Sequence, residues 1–169
     1  MMQKPKVAAV VAMDEDRVIG RQGALPWDVP QDLAHFRKLT KDHVVVMGRK
    51  TWDSLPAKRR PLPDRTNVVV SRHPEQLSLP PEVLSASSPD EALRVAQDAA
   101  LAASKTVWVI GGAELYKALL PMCDEVHLTV IRGKHEGDAH LPRFEDSFEL
   151  SSRSEGEGEQ CSFFVYVKK

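Results

Sequence analysis

Val44-Val45-Val46-Met47-Gly48-Arg49-Lys50-Thr51-Trp52 is the most informative stretch for fold class. Its first four residues are apolar without interruption, and three of them are β-branched. Such a run suits a strand covered on both faces, as the strands of parallel sheets are. Gly48 ends the run, and Arg49–Leu55 reads as a short helix. A buried strand passing through glycine into a helix is the repeating unit of an α/β protein.

The same pattern extends in both directions. Val7–Met13, Asn67–Ser71, Thr106–Ile110 and Val126–Ile131 read as further buried strands. Pro30–Thr40 reads as a helix with proline at its first position and Leu33, Phe36 and Leu39 on one side. Ser88-Pro89-Asp90-Glu91 has the form of a capping box, and Leu93, Ala96 and Ala100 continue a helical stripe behind it. Glu114–Leu120 reads as a helix stopped near Pro121. The C-terminal pattern is different. There Ser147–Ser152 and Ser162–Val167 flank the polar turn Glu155-Gly156-Glu157-Gly158-Glu159. The expectation is one α/β domain over residues 1–169, with a mostly parallel sheet and an antiparallel ending.

Composition narrows the function. The 169 residues are 42% hydrophobic and 28% charged, ordinary for a globular chain and unlike a disordered one. There are 23 basic and 24 acidic residues. A uniformly basic nucleic-acid binder is disfavoured, and any anionic ligand must be met by locally clustered Arg and Lys. Cys123 and Cys161 form neither a CxxC pair nor a metal spacing, which suits a reducing compartment. Val7–Met13 is too short to span a bilayer and is followed at once by Asp14-Glu15-Asp16, so it reads as a strand and not as a signal peptide. The protein is expected to be cytoplasmic, with no membrane association.

In open α/β sheets ligands bind beyond the carboxyl ends of the strands, so the turns there are searched first. The segment Ile19-Gly20 through Leu25-Pro26-Trp27 reads as a long loop of the lid type, against the plainer alternative of a surface crossover. Asp32 falls in the first turn of a helix, where an acid most often serves the helix dipole. Trp27, Leu33 and Phe36 around it would instead make an apolar pocket with one carboxylate, suited to an amidine-like pair of donors. Gly48-Arg49-Lys50-Thr51, Ser71-Arg72-His73 and Ile110-Gly111-Gly112-Ala113-Glu114 are three turns able to take anions on one sheet edge. Taken singly, each glycine could serve only turn geometry. No GxGxxG, GxxxxGK[ST], HExxH or GxSxG motif is present. His135-Glu136-Gly137-Asp138 with His140 reads as a polar loop, and Lys58-Arg59-Arg60 as a solvated one.

These motifs together resemble the dihydrofolate reductase family over almost the whole chain. The carriers are Asp16-Arg17-Val18-Ile19-Gly20, Leu25-Pro26-Trp27, Asp32-Leu33-x-x-Phe36, Val46-Met47-Gly48-Arg49-Lys50-Thr51-Trp52 and Pro61-Leu62-Pro63-x-Arg65-x-Asn67. Ile110-Gly111-Gly112 with Tyr116, Leu128-Thr129 and Gly137-Asp138 complete the set. The resemblance implies a single domain with a twisted sheet of about eight strands and about four flanking helices. It implies NADPH-dependent reduction of 7,8-dihydrofolate, with hydride going to C6 and a proton to N5. Asp32, Trp27, Leu25 and Thr129 would carry catalysis. Substrate would meet Val10, Val11, Asp32, Leu33, Phe36, Arg37, Leu55, Leu62, Ile110, Tyr116 and Thr129, with Arg65 gripping its glutamate α-carboxylate. NADPH would meet Ala12, Ile19, Gly20, Leu25, Gly48, Arg49, Lys50, Thr51, Ile110, Gly111, Gly112, Ala113, Leu115 and Tyr116, with Ser71 and Arg72 near its 2′-phosphate. Gly111–Gly112 would be a cis peptide. A monomer using no metal and no nucleic acid is implied.

Three departures from the family pattern stand out. Glu114 occupies a place less kind to phosphate and is left out of the cofactor set. Pro56–Arg60 reads as a small insertion before Pro61-Leu62-Pro63. Arg37 replaces a frequent lysine. The competing expectations are a pyrimidine reductase of riboflavin synthesis and a non-catalytic nucleotide- or RNA-binding module on the same scaffold. The joint presence of Asp32, Phe36 and Arg65 argues against the first, and the intact set Asp32, Trp27 and Thr129 against the second.

Overall fold

The computed structural model describes residues 4–169. Along them run β1 (Val7–Asp14), β2 (Val18–Gly20), α1 (Pro30–Thr40), β3 (Val44–Gly48), α2 (Arg49–Ser54), β4 (Thr66–Val70) and β5 (Leu84–Ala86). Then follow α3 (Pro89–Ala103), β6 (Val107–Val109), α4 (Ala113–Leu119), β7 (Glu125–Ile131), β8 (Ala139–His140), β9 (Phe148–Glu155) and β10 (Cys161–Lys168). Eight of the strands form one sheet in the order β5-β4-β3-β6-β1-β7-β10-β9. From β5 to β7 every pairing is parallel; β10 runs antiparallel to both β7 and β9. The expected α/β domain with a mostly parallel sheet, an antiparallel C-terminal hairpin and four helices is therefore what the chain forms.

The valine runs explain the layering. Successive side chains on a strand point to opposite faces. Val44 and Val46 pack with Val7, Ala9, Val11, Val107 and Val109 against α3 and α4, through Leu93, Ala96, Ala100, Leu115 and Leu119. Val45 and Met47 face the other way, with Ala8, Val10, Val69 and Trp108, against Phe36 and Leu39 of α1 and Trp52 of α2. The helices thus divide by face, and α1 brings its acid over the strand ends on the α2 side.

Some local expectations need correction. The Ile19–Trp27 segment is not a plain loop. It contains β2, paired antiparallel with β8, and a two-residue turn in which Arg21 and Ala24 exchange both backbone hydrogen bonds (2.8 and 3.0 Å) around Gln22 and Gly23, both at positive φ. Strands as short as β2, β5 and β8 carry too few residues to show a period. The capping box is half formed. Ser88 caps α3 by accepting from the Glu91 N–H at 3.1 Å, but the Glu91 carboxylate binds Ser87 rather than the Ser88 backbone. The fourth helix starts one residue earlier than expected, and a 3-10 turn (Leu120–Met122) carries the chain through Pro121. Glu155 belongs to β9 and not to the hairpin turn.

Candidate active site

Because β1, β3, β4, β6 and β7 are parallel, their carboxyl ends share one edge. Gly48 at the end of β3 donates its N–H to the Gly111 carbonyl beyond β6 at 2.9 Å, tying that edge together. The site assembles on both sides of this tie.

On the α1 side, Pro30 starts the helix and Asp32 falls in its first turn, 8% exposed. Asp32 has no ion-pair partner among the described residues. Burial pushes its carboxyl above the ordinary value, and the hydroxyl of Thr129 on β7 opposes that shift in part. Trp27 packs with Ala12 and Phe163 on Val29, Ile131 and Cys161, and its indole N–H is buried with no partner among the described residues. A buried donor left unmatched is costly, so the geometry fits a ligand or water that accepts from it. Leu25 and Leu33 are 47% and 50% exposed, leaving apolar surface open beside the acid. Phe36, Leu55 and Ile110 are half-buried and Leu62 is buried on the same face.

Arg65 stands on this side too, against Phe36. Its Nε donates to the Pro63 carbonyl (2.9 Å) and its Nη1 to Thr40 Oγ1 (3.0 Å), while the guanidinium lies over the Phe36 ring at 5.9 Å. Burial lowers its pKa, and the positive charges of Arg37 and Arg59 lower it further against the opposing Asp64. Nη2 has no protein partner among the described residues. A held guanidinium under excess positive charge, with one edge free, is chemically suited to a carboxylate.

Two residues outside the expected site hold Arg65 in place. Thr40, fully buried, donates to the Phe36 carbonyl (2.9 Å) while accepting from Arg65. Asn67, 1% exposed, accepts from the Leu62 N–H (2.9 Å) and donates to the carbonyls of Leu62 and Arg65 (both 3.1 Å). Asn67 stands in the motif that carries the family resemblance, though the sequence assigns it no role; for Thr40 the sequence signal is a polar residue where the apolar pattern predicts burial.

On the other side of the tie the donors suit a phosphate-bearing cofactor. Gly48 and Gly112 are the N-caps of α2 and α4, and neither helix start has a side-chain cap, so first-turn N–H groups are open to a ligand. Gly111–Gly112 is a cis peptide, as the resemblance implies. Gly111 has φ +123°, and a Cβ there would meet the Tyr116 ring at 3.4–3.6 Å; one on Gly112 would lie 3.6 Å from Thr51 Oγ1. The glycine pair keeps this cleft narrow and clear. Lys50 and Arg72 are exposed, without an ion pair among the described residues, whereas Arg49 is drawn to Asp53 at 3.0 Å. Ser71 is buried, its hydroxyl accepting from the His73 N–H at 3.1 Å.

Val11, Leu115 and Tyr116 are placed differently from the rest. Their side chains lie in the core on the α3–α4 face, opposite Asp32. The Tyr116 hydroxyl donates to the Val10 carbonyl at 2.7 Å, and burial pushes that phenol's pKa up. Ala113 opens α4; Ile19 and Gly20 lie in β2 at the lid. Among the described residues no three His, Cys, Asp or Glu side chains group as metal ligands.

Fold and site together define an α/β protein whose carboxyl sheet edge offers two groups of residues suited to small anionic ligands. The family model described as dihydrofolate reductase matches residues 6–168. Dihydrofolate reductase of Bacillus subtilis (strain 168) is 37% identical, the match covering 96% of this chain and 95% of that one. The enzyme of that name from Mycobacterium tuberculosis (strain CDC 1551 / Oshkosh) is 41% identical over 84% and 83%. A solved structure of dihydrofolate reductase from Enterococcus faecalis, complexed with NADP(H) and RAB-propyl, superimposes with a TM-score of 0.83 at 32% identity, covering 97% and 96%. The chain belongs to the dihydrofolate reductase family.

Proposed function

We propose that this protein reduces 7,8-dihydrofolate to 5,6,7,8-tetrahydrofolate with NADPH as the reductant, supporting one-carbon metabolism and thymidylate and purine synthesis. The observation that carries the reading is Asp32. It is a buried carboxylate beside Thr129, without an ion pair among the described residues, on the same helix as Phe36, over whose ring the held guanidinium of Arg65 lies. Bound NADPH supplies the hydride to C6 of the pterin, while N5 takes a proton.

The residues have separable tasks. Asp32 accepts from the pterin N3 and 2-amino donors and favours protonation at N5; Thr129 supports it from behind. Leu33, Phe36, Leu55 and Leu62 sandwich the rings, with Val10, Val11, Ile110 and Tyr116 forming the floor through backbone and core. Arg65 pairs with the glutamate α-carboxylate, and Arg37 adds charge beside it. Ala12, Ile19, Gly20 and Leu25 border the nicotinamide, and closure of the Leu25 segment excludes water. Trp27 donates its free indole N–H at the pterin end. Gly48, Arg49, Lys50, Thr51, Gly111, Gly112 and Ala113 receive the phosphates, with Leu115 behind them. Ser71 and Arg72 select the 2′-phosphate.

Residues 1–169 act as one unit, a cytoplasmic monomer needing no nucleic acid. A formal charge of −1 and two buried free cysteines support this. No helix among the described residues is long and apolar enough to cross a membrane. Mixing the protein with NADPH and dihydrofolate should lower absorbance at the nicotinamide band. No loss at any pH from 5 to 9 would overturn the reading. Size-exclusion chromatography with light scattering checks the monomer.

A further inference from the structure

Asp14 and Asp32 are the two buried carboxylates among the described residues, and the proposed chemistry uses only Asp32. Asp14, at the last position of β1, is completely buried. Its Oδ1 accepts from the backbone N–H of Asp16 (2.8 Å) and Val18 (2.9 Å). Its Oδ2 accepts from the His135 backbone N–H (2.6 Å) and meets His135 Nδ1 at 3.1 Å. These hydrogen bonds overcome the effect of burial and hold the carboxyl below its ordinary value. Asp14 is therefore ionised, and Nδ1 of His135 is the donor in that contact. The same imidazole also meets Trp27 edge-on, with ring centroids 5.3 Å apart. The Asp14–His135 pair thus joins three parts of the chain: Asp14 holds the base of the lid at Asp16 and Val18 and the β7–β8 loop at His135, and His135 meets the tryptophan whose indole N–H is unmatched.

We propose that His135, anchored on Asp14, is a positioning residue for the reductase site, fixing Trp27 and the start of the lid for hydride transfer. This rests on the reductase function proposed for the chain. A buried charge is retained only where its partners satisfy it, and Asp14 divides its four hydrogen bonds between the start of the lid at Asp16 and Val18 and His135, whose ring meets Trp27. Removing the imidazole takes one of the two donors from Oδ2 and frees the edge of the indole together. Misplacement of a group near the reacting atoms by about 1 Å can lower a rate about a hundredfold without loss of binding.

The two halves of the contact can be separated. H135F keeps a ring edge against Trp27 and removes the donor to Asp14; H135N keeps a donor near the place of Nδ1 and removes the ring. His135 is a quarter exposed at its side chain, so both proteins should fold. In single-turnover stopped-flow, H135F should slow hydride transfer about ten- to a hundredfold, with KM for NADPH within about twofold and Tm nearly unchanged. H135N should recover most of the Asp14 share, seen as slow amide exchange at Asp16 and Val18, and yet leave the 15N-labelled Trp27 indole resonance shifted. Hydride transfer at the wild-type rate in both variants would overturn the proposal. So would losses that follow Tm alone. Should the wild type not oxidise NADPH with dihydrofolate, the reductase reading falls and the exchange and indole measurements judge the anchor by themselves. An unmoved indole resonance and unchanged exchange in H135F would then refute it.

Discussion

Asp32 carries a cost as well as a task. Its folded pKa is raised, so the folded state holds its proton to higher pH than the unfolded chain, and its stabilising effect is lost as pH rises through the folded value. At neutral pH the ionised form lacks a full complement of partners. D32N should therefore abolish most turnover of dihydrofolate while leaving NADPH affinity close to wild type, and should raise Tm at pH 7. Steady-state kinetics, a cofactor titration and a thermal melt decide it; equal losses in turnover and cofactor binding would contradict the role. Arg65 is the other decisive residue. R65L should weaken folate binding by about 2–5 kcal/mol, because the bound carboxylate loses its partner. T40V, which removes a neutral acceptor from the same guanidinium, should cost about 0.5–1.5 kcal/mol and act mainly on KM. Unchanged folate affinity in R65L would rule out the assignment.

Among the elements, α3 shows how far local rules reach. Ser88, Pro89 and the Leu93, Ala96, Ala100 stripe state its start and its buried face in one segment, and the helix forms there. S88A should lower stability by about 1 kcal/mol, or roughly 2–4 °C in Tm for a chain of this size. A melt unchanged within about 1 °C would show that the cap is dispensable. The segment after β1 is the contrary case. Ile19, Gly20 and Trp27 are visible as an unusual stretch, but β2 exists only because β8, far along the chain, pairs with it. Likewise, nothing near Asp14 marks it as buried; its partner His135 arrives from another strand end.

The whole molecule sets its acid limit through three histidines. His35, His43 and His127 all lie below the ordinary value of 6.5, burial being the first cause in each. For His35 the neighbours His127 and Lys38 add to the effect; for His43, Lys105 adds and Asp42 opposes; for His127, Glu125 opposes. Each is neutral in the fold and charges first in the unfolded chain. Stability is thus fully present above about pH 6.5 and lost as pH falls toward the depressed folded values, with each group contributing at most about 1.4 kcal/mol per pH unit. Asp14, Glu125 and Glu145 are held low and act only further down. Urea midpoints from pH 7.5 to 5 should fall on acidification, and H127Q should flatten the slope. A midpoint that stays constant over this range in D32N, where the opposing proton uptake of Asp32 is removed, would exclude the histidines.

The layering and the anion-binding turns were legible in the amino-acid order alone. Five uninterrupted valine-rich runs demand burial on both faces, and glycine or proline marks the passages into helices; these are local demands, satisfied wherever such segments fold together. Asp32 and the glycine pair were legible as candidates weighed against plainer structural readings, and Arg65 through the family resemblance. The face that each side chain joins was settled by the three-dimensional packing. Strand direction and register send Val11, Leu115 and Tyr116 to the α3–α4 side and leave Asp32, Thr129 and Trp27 on the other. The roles of Thr40, Asn67, Asp14 and His135 emerge from that packing, because a polar residue's burial and partners depend on contacts between distant segments. Hydrophobic periodicity records how a segment meets the core and carries no information on which distant donor meets which acceptor.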